Sequence, residues 1–128
     1  MMKKIIATEK APAAVGAYSQ AVRAGDFIFV SGQLPLVPET GLMAERDISV
    51  QARQSLENLK AILESEGCTM ENAVKTTVLL ENIDDFAAVN AVYAEYFQKD
   101  CPARACYAVD KLPKGAKVEI ELIAYCGK

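Results

Sequence analysis

The most regular hydrophobic pattern of the chain lies between residues 48 and 63, where apolar side chains return every three or four positions. The recurring residues are Ile48, Ala52, Leu56, Leu59, Ile62 and Leu63. Because an α-helix turns once in about 3.6 residues, this spacing predicts a helix with one buried face. Its solvated face is predicted to carry Gln51, Arg53, Glu57, Lys60 and Glu64. Asp47 or Ser49 is suited to cap the start, and Gly67 to close the end.

A second helix is predicted to start at Asp84-Asp85, since acidic side chains stabilise the positive end of the helix dipole. Its predicted buried stripe consists of Phe86, Val89, Tyr93 and Phe97. Asn90 falls on the same stripe, and a buried amide must find hydrogen-bond partners. Two interpretations of Asn90 stay open: a structural hydrogen bond to a neighbouring loop, or contact with a ligand.

Six segments have the β-branched or alternating character of strands. They are residues 3–8, 18–24, 27–31, Ala73–Leu80, 102–107 and 117–122. Gly25-Asp26 suits a tight hairpin turn. Pro113 and Gly115 predict that the last two segments also pair as an antiparallel hairpin. The order β-β-β-α-β-α-β-β predicts an α+β protein whose mixed sheet carries both helices on one face.

The last segment indicates what each face of the sheet meets, because side chains alternate between faces along a strand. One set is apolar and suits the helix side: Val118, Ile120, Leu122 and Ala124. The other set is mixed rather than polar: Glu119, Glu121, Ile123 and Tyr125. A mixed outer face favours an oligomer interface and, with it, sites between subunits.

Composition narrows the class of protein. A chain of 128 residues, 52% hydrophobic and 24% charged, is typical of one globular domain, here 1–128, that needs no metal or disulfide. Its apolar runs are too short to span a bilayer, and no signal peptide follows Lys3-Lys4, which favours the cytoplasm. The net charge of −3 and the lack of a basic stripe weigh against nucleic acid as a partner.

The reactive side chains exclude several kinds of chemistry. The chain has no histidine, and its four cysteines include no Cys-x-x-Cys pair. A Cys/His zinc site and Ser-His or Cys-His nucleophilic catalysis are therefore not expected. We expect Cys68, Cys101 and Cys126 to be small buried hydrophobes. The role of Cys106, two residues from Arg104, stays open between packing and a site.

Arg104 and the glutamates of the last strand are the candidate catalytic groups. An arginine fork binds a carboxylate through two parallel hydrogen bonds, and a glutamate can orient or deprotonate a water. Together they suggest a site for a small carboxylic acid that reacts with water. The alternatives are a salt bridge for Arg104 and a charged sheet face for Glu119 and Glu121. The register of the final strands decides whether these side chains meet.

Two further segments are suited to line a pocket. Tyr18 places a phenol beside the loop at residues 11–16. Ser31 and Gly32 offer a hydroxyl and a close backbone approach, although Ser31 can also simply begin a turn. Without a histidine or lysine base beside it, Ser31 is expected to form hydrogen bonds rather than to act as a nucleophile.

A series of motifs resembles the RidA/YjgF family, the reactive-intermediate or imine deaminases, over nearly the whole chain. They are Ala11-Pro-Ala-Ala-Val-Gly-Ala-Tyr-Ser-Gln20, Val30-Ser-Gly-Gln33, Gln51-Ala-Arg-Gln-Ser-Leu-Glu-Asn58, Val74-Lys-Thr-Thr-Val78, Asp85-Phe86 with Val89-Asn90, Pro102-Ala-Arg104 and Val118-Glu-Ile120. Each motif is weak alone, but their order and spacing are highly specific.

The resemblance implies a chorismate-mutase-like α+β protomer in a homotrimer, with ligand sites in the clefts between subunits. It implies hydrolysis of 2-imino acids or enamines, such as 2-iminobutanoate and 2-iminopropanoate, to 2-keto acids and ammonia, without cofactor or metal. These unstable compounds leak from pyridoxal-phosphate enzymes such as threonine dehydratase. Their removal protects other such enzymes from damage.

The resemblance also implies roles for individual positions. Arg104 matches the family's carboxylate-binding arginine, and Glu119, rather than Glu121, matches the acid beside the reacting water. The matched pocket positions are Tyr18, Ser31, Gly32, Asn90 and Cys106, the last through its backbone groups. Ala105 stands where serine is frequent and Asp110 where small or basic residues are usual, which leaves the substrate range open.

Two competing functions stay open. Some relatives are associated with endoribonuclease activity, which the net negative charge and the lack of histidine oppose. A trimeric metabolite-binding, regulatory or chaperone-like module would use the same clefts without releasing ammonia.

Overall fold

The computed structural model describes residues 2–127 and builds them around one six-stranded sheet. The elements are β1 (Lys3–Ile6), β2 (Ala21–Ala24), β3 (Phe27–Gln33), α1 (Ile48–Glu64), β4 (Ala73–Leu80), α2 (Phe86–Tyr96), β5 (Ala103–Ala108) and β6 (Val118–Tyr125). This order confirms the predicted α+β arrangement. Among these residues, no helix is both long and apolar enough to cross a membrane.

The sheet is mixed, as predicted, with the strand order β1-β2-β3-β6-β4-β5. β4 and β5 are parallel, and every other neighbouring pair is antiparallel. The hairpin predicted for the last two strands is wrong, because β4 lies between β5 and β6. The turn at Pro113–Gly115 reverses the direction of the chain, but it does not determine which strand β6 pairs with. β5 lies on the outer side of β4, where α2 connects to it.

Both helices lie on one face of the sheet and cover the core. The helix side of β6 consists of Val118, Ile120, Leu122 and Ala124, each at most 1% exposed, as predicted. Over it pack the fully buried aliphatic residues of α1, which are Leu56, Leu59, Ile62 and Leu63. Each such side chain stabilises the fold by about 1.5–3 kcal/mol. This layer therefore fixes the position of β6.

The ends of α1 confirm the predicted capping. The Asp47 side chain accepts a hydrogen bond of 3.0 Å from the backbone of Val50, and Gly67 adopts the left-handed conformation (φ 76°) beyond the last turn. Along α2 and its C-cap, the residues buried as predicted are Val89, Tyr93 and Phe97. Phe86 is instead 36% exposed, because it begins the helix and meets the side chain of Arg104 rather than the core.

Cys68 is buried as predicted, but the cysteines differ from the prediction in two other respects. Cys68 and Cys126 form a disulfide, with their Cα atoms 6.3 Å apart, and Cys101 is exposed. The disulfide joins the turn after α1 to the end of β6. Sequence spacing does not reveal it, because the two residues are 58 positions apart and meet only through the sheet topology.

The outer face of the sheet, opposite the helices, is mixed as predicted. Phe27, Phe29 and Tyr125 are 42%, 46% and 46% exposed there. The rings of Phe27 and Tyr125 meet edge to face, with their centroids 5.2 Å apart. Glu119 and Glu121 share this face, so it combines apolar surface with negative charge.

Candidate active site

The register of the sheet places the predicted catalytic groups on opposite faces. Arg104 pairs with Thr76 of β4, which pairs with Leu122 of β6, and directly paired residues share a face. Thr76 and Leu122 are buried under the helices, so Arg104 belongs to the helix side. Glu119 lies three positions before Leu122 and therefore points to the outer side. Arg104 and Glu119 of one chain cannot contact the same small ligand.

An open pocket lies on the Glu119 side of the sheet. Its volume is about 560 Å³, and its lining includes Tyr18, Ser31, Gly32, Lys114, Glu119 and Glu121. A pocket of this size accommodates a small molecule. β3, β6 and the segment before β2 thus bring four of the predicted site residues together: Tyr18, Ser31, Gly32 and Glu119.

A β-bulge shapes the floor of this pocket. Between its paired positions at Val30 and Gln33, β3 has one residue more than β6, and the extra residue bends the strand. Gly32 lies in the bulge, directly against the Glu119 side chain. A Cβ on Gly32 would lie 2.5 Å from Oε2 and 2.9 Å from Cδ of Glu119. Position 32 lacks a side chain, and the Glu119 carboxyl occupies that space.

Hydrogen bonds anchor the segment that carries Tyr18. Ser31 Oγ donates to the Ser19 carbonyl at 2.6 Å, so its hydroxyl proton is used within the fold. Gln20, a residue that the sequence pattern did not single out, is 4% exposed. Its amide donates hydrogen bonds of 2.8–3.2 Å to the carbonyls of Thr8, Ala11 and Pro12. The strand predicted at 18–24 begins only at Ala21, because the preceding residues hold this loop instead.

The surroundings of Glu119 favour its protonated form. Burial raises the pKa of the Glu119 carboxyl, and the negative charge of Glu121 raises it further. At a given pH, a larger fraction of Glu119 is therefore protonated than of a free glutamate. Such a carboxyl group can accept a proton and return it within one reaction.

The second cluster surrounds Arg104 on the helix side. Arg104 Nη1 donates a hydrogen bond of 2.8 Å to Asn90 Oδ1. The guanidinium carbon lies 4.8 Å from the ring centroid of Tyr93 and 5.3 Å from that of Phe86. The side chain of Asn90 was expected either to bond a neighbouring loop or to contact a ligand. Instead of a loop, it contacts Arg104. Asn90 and Arg104 thus belong to one cluster on the helix side of the sheet.

Arg104 differs from the other arginines in its charge environment. Ion pairs join Arg23, Arg46 and Arg53 to Glu66, Glu81 and Glu95. Arg104 forms no ion pair within residues 2–127, and its side chain is exposed on the edge strand β5. The alternative of a salt bridge inside one chain is therefore excluded for these residues. An anion can approach the guanidinium from solvent.

Cys106 lies on the same side of β5 as Arg104 and packs against the core. Burial raises the pKa of the Cys106 thiol, and the positive charge of Arg104 acts against this effect. Because the net direction is upward, the thiol stays protonated at neutral pH and is not an activated nucleophile. The position of this side chain supports the packing interpretation.

Two buried polar residues of α1 form hydrogen bonds to segments outside the helix, and one of them, Asn58, supports the far wall of the Glu119 pocket. Asn58, 1% exposed, donates to the carbonyls of Leu34 and Leu36 at 3.2 and 3.0 Å. Gln51 accepts a hydrogen bond of 2.9 Å from the backbone of Lys117, just before β6. Its predicted place on the solvated face is wrong, since its side chain is fully buried. Leu34 and Leu36 line the pocket, so α1 helps to shape it.

The two clusters offer complementary chemistry for a small carboxylic acid. The uncompensated guanidinium suits a carboxylate, and the partly buried carboxyl group suits proton exchange with water. Within residues 2–127, no group of three or more cysteine and carboxylate side chains is arranged to hold a metal ion.

Comparison with known proteins identifies relatives along nearly the whole chain. Residues 8–126 match the family described as Endoribonuclease L-PSP. A RutC family protein of Pyrococcus horikoshii is 51% identical over 124 residues, which cover 97% of this chain and 98% of the relative. A 2-iminobutanoate/2-iminopropanoate deaminase of Rattus norvegicus is 50% identical over 127 residues, which cover 99% of this chain and 93% of the relative.

A solved structure shares the fold as well. It belongs to a protein of the conserved Rid protein family from Yersinia pestis, which is 46% identical to this chain. The TM-score is 0.94, and the match covers 96% of this chain and 98% of that one. The arrangement of strands and helices is therefore common to both proteins.

Proposed function

We propose, since this chain belongs to the RidA/YjgF family, that it hydrolyses 2-imino acids and their enamine tautomers to 2-keto acids and ammonia. The expected substrates are 2-iminobutanoate and 2-iminopropanoate, the compounds in the name of the rat relative. The observation that carries the proposal is the uncompensated guanidinium of Arg104, because every such substrate has a carboxylate.

The complete site, in this proposal, forms between two copies of the chain. Arg104 and Glu119 lie on opposite faces of the sheet, so one chain supplies only half of any cleft. The outer face offers apolar surface for a neighbouring copy, through Phe27, Phe29 and Tyr125. A closed ring of three subunits, typical of the family, repeats one contact and gives each copy a complete cleft.

In this proposal, Arg104 binds the carboxylate of the substrate. Two parallel N–H···O hydrogen bonds hold the planar carboxylate of the substrate, and the bond to Asn90 restrains rotation of the guanidinium. The bound acid then presents its C2 atom to Glu119 of the partner subunit, while Tyr18 closes one wall of the pocket. Fixing the reactants in this geometry removes an entropic part of the barrier.

Glu119 moves the protons of the reaction. Its carboxylate takes a proton from water as the oxygen attacks C2 of the protonated imine, and the C=N π electrons pass to nitrogen. Glu119 returns this proton to the nitrogen and takes up the hydroxyl proton as the C–N bond breaks, which releases ammonia and the 2-keto acid. Its raised pKa suits a group that accepts and donates in turn. C2 is electrophilic already, so no covalent intermediate with the protein is needed.

The test generates 2-iminobutanoate in situ from threonine with a dehydratase and follows its disappearance with and without the protein. Wild type should accelerate hydrolysis, and Arg104→Ala and Glu119→Gln should each lower kcat/KM by about 100-fold or more. Arg53→Ala is the matched control, because it removes an exposed arginine whose charge is already compensated by Glu95. Folded Arg104→Ala that hydrolyses the imine at the wild-type rate would refute the site.

The same assay separates the competing functions. Failure of the wild type to accelerate hydrolysis, together with stabilisation by 2-keto acids, would favour a metabolite-binding module. Endoribonuclease activity, named in the description of the family, requires RNA cleavage by protein free of contaminating nucleases. The two carboxylates in the pocket, Glu119 and Glu121, oppose a polyanionic substrate there.

A further inference from the structure

Among residues 2–127, the groups that hold the Arg104 guanidinium are all uncharged. Tyr93 and Phe86 present their rings to it, at 4.8 and 5.3 Å from guanidinium carbon to ring centroid, and Asn90 accepts one N–H. Residues 86, 90 and 93 are spaced four and three apart on α2, so they form one face of that helix beside β5. The position of the Arg104 guanidinium is therefore fixed, within this part of the chain, by neutral groups only.

The other arginines are fixed by carboxylates instead. Arg53, for example, makes two hydrogen bonds of 2.9 and 3.1 Å to Glu95. A carboxylate would fix Arg104 in space equally well, but it would occupy the N–H fork and compensate its charge. Aromatic rings do neither, because the ring quadrupole attracts the cation through the ring face and leaves the N–H groups available.

Tyr93 is itself held firmly and without charge. Its hydroxyl shares a hydrogen bond of 2.7 Å with Thr76 Oγ1, and its ring centroid lies 4.5 Å from that of Phe97. Burial raises the pKa of the Tyr93 phenol, so the ring stays neutral at neutral pH. The ring that faces the guanidinium therefore has a fixed position and adds no charge.

We propose that Phe86 and Tyr93 are positioning residues that fix the Arg104 guanidinium without neutralising it, so that a carboxylate ligand meets the full positive charge. Asn90 belongs to the same arrangement because an amide accepts one N–H without adding a charge. The inference rests on the proposed function of Arg104 and explains why only neutral groups hold it. Affinity for the carboxylate then depends on the ring at 86 and the charge at 90, whereas kcat depends on Glu119.

The test measures KM and kcat for 2-iminobutanoate, and calorimetric binding of the product 2-oxobutanoate. Asn90→Asp places a carboxylate of the same shape beside Nη1, so KM and the dissociation constant should rise about tenfold or more, with no fall in Tm. Asn90→Ala removes only the hydrogen bond and should weaken binding less. Phe86→Leu should raise both constants about two- to fivefold. Phe86→Tyr, which keeps the ring, should bind as wild type does.

Comparing the affinities of Asn90→Asp and Asn90→Ala distinguishes an effect of the added charge from an effect of losing the hydrogen bond. Equal losses of affinity in these two variants overturn the inference, and so does wild-type affinity in both Asn90→Asp and Phe86→Leu. Full activity of Arg104→Ala would instead refute the proposed function on which the inference rests. Phe86→Leu is accompanied by a thermal unfolding measurement, and the Asn90 pair decides alone if that variant does not fold.

Discussion

The contact between Gly32 and Glu119 connects a backbone position to the proposed reactive group. A Cβ at position 32 would meet Oε2 at 2.5 Å, well inside the contact distance. The carboxyl is the end of a flexible side chain and can move aside, so the fold should accept a methyl group at position 32. Proton transfer should suffer, however, because it requires the carboxyl within hydrogen-bond reach of the water.

Gly32→Ala is therefore expected to lower kcat by about tenfold or more, with little change in Tm. Steady-state kinetics and thermal unfolding measure the two effects. Glu119→Asp has a shorter side chain that leaves room for the methyl group, so the double variant should be more active than the product of the single effects predicts. Independent single effects would show that the two positions do not interact.

The pH dependence of activity should report the surroundings of Glu119. Burial and then the charge of Glu121 raise its pKa. Because the proposed base acts in its ionised form, activity should fall as the pH drops through this raised pKa. Glu121→Gln removes the neighbouring charge and should shift this loss of activity to lower pH, whereas Glu64→Gln on the outer face of α1 should not. An unchanged pH–rate profile in Glu121→Gln would contradict the assignment of Glu119 as the titrating base.

At the scale of elements, the side-chain amide of Asn58 links helix α1 to the leucines that line the Glu119 pocket. Asn58→Ala removes a donor from the carbonyls of Leu34 and Leu36, of which Leu34 keeps the backbone N–H of Leu36, and should lower the free energy of unfolding by about 1–3 kcal/mol. KM should rise too, because both leucines line the pocket. Urea denaturation and kinetics measure the two changes, with Lys60→Ala as the control on the same helix. A destabilised variant with wild-type KM would show that this wall does not shape the site.

Patterns within one element can be read from the sequence, whereas partners between elements cannot. The repeat of apolar residues predicted α1, and alternation along β6 predicted which of its side chains are buried. The predicted pairing of β5 with β6 was wrong, because a turn encodes reversal but not the insertion of β4 between them. Hydropathy placed Gln51 in solvent, yet it is buried and bonded to Lys117.

For the candidate site, too, the sequence predicted the residue types but not how they come together. The chemistry of Arg104 and Glu119 follows from their residue types, but their separation onto opposite faces depends on register, which a one-residue shift reverses. Gln20 and Asn58 were missed because a buried amide and a surface amide look alike in a sequence. Only the carbonyls around them reveal the difference.

At the scale of the whole molecule, the separation of Arg104 from Glu119 makes the proposed activity a property of the assembly. Arg104→Ala and Glu119→Gln, each expected to be about 100-fold or more less active alone, should recover activity when they are denatured together and reassembled. A complete cleft combines Arg104 from one variant with Glu119 from the other, so about one quarter of the clefts should be intact in an equal mixture.

The rate of 2-iminobutanoate hydrolysis before and after joint reassembly measures this recovery. Variants that are refolded separately and then mixed are the control, since their subunits have not been combined. No gain after joint reassembly into oligomers would contradict the intersubunit arrangement.

The disulfide between Cys68 and Cys126 has a consequence for the covalent shape of the molecule. It closes a ring of backbone that contains β4, α2, β5 and β6, with Arg104 and Glu119 both inside it. The exposed turn at Pro113–Gly115 lies on that ring between the two residues. A single cut there opens the ring but releases no fragment, so both halves of the proposed site stay tethered to β1–β3 and α1.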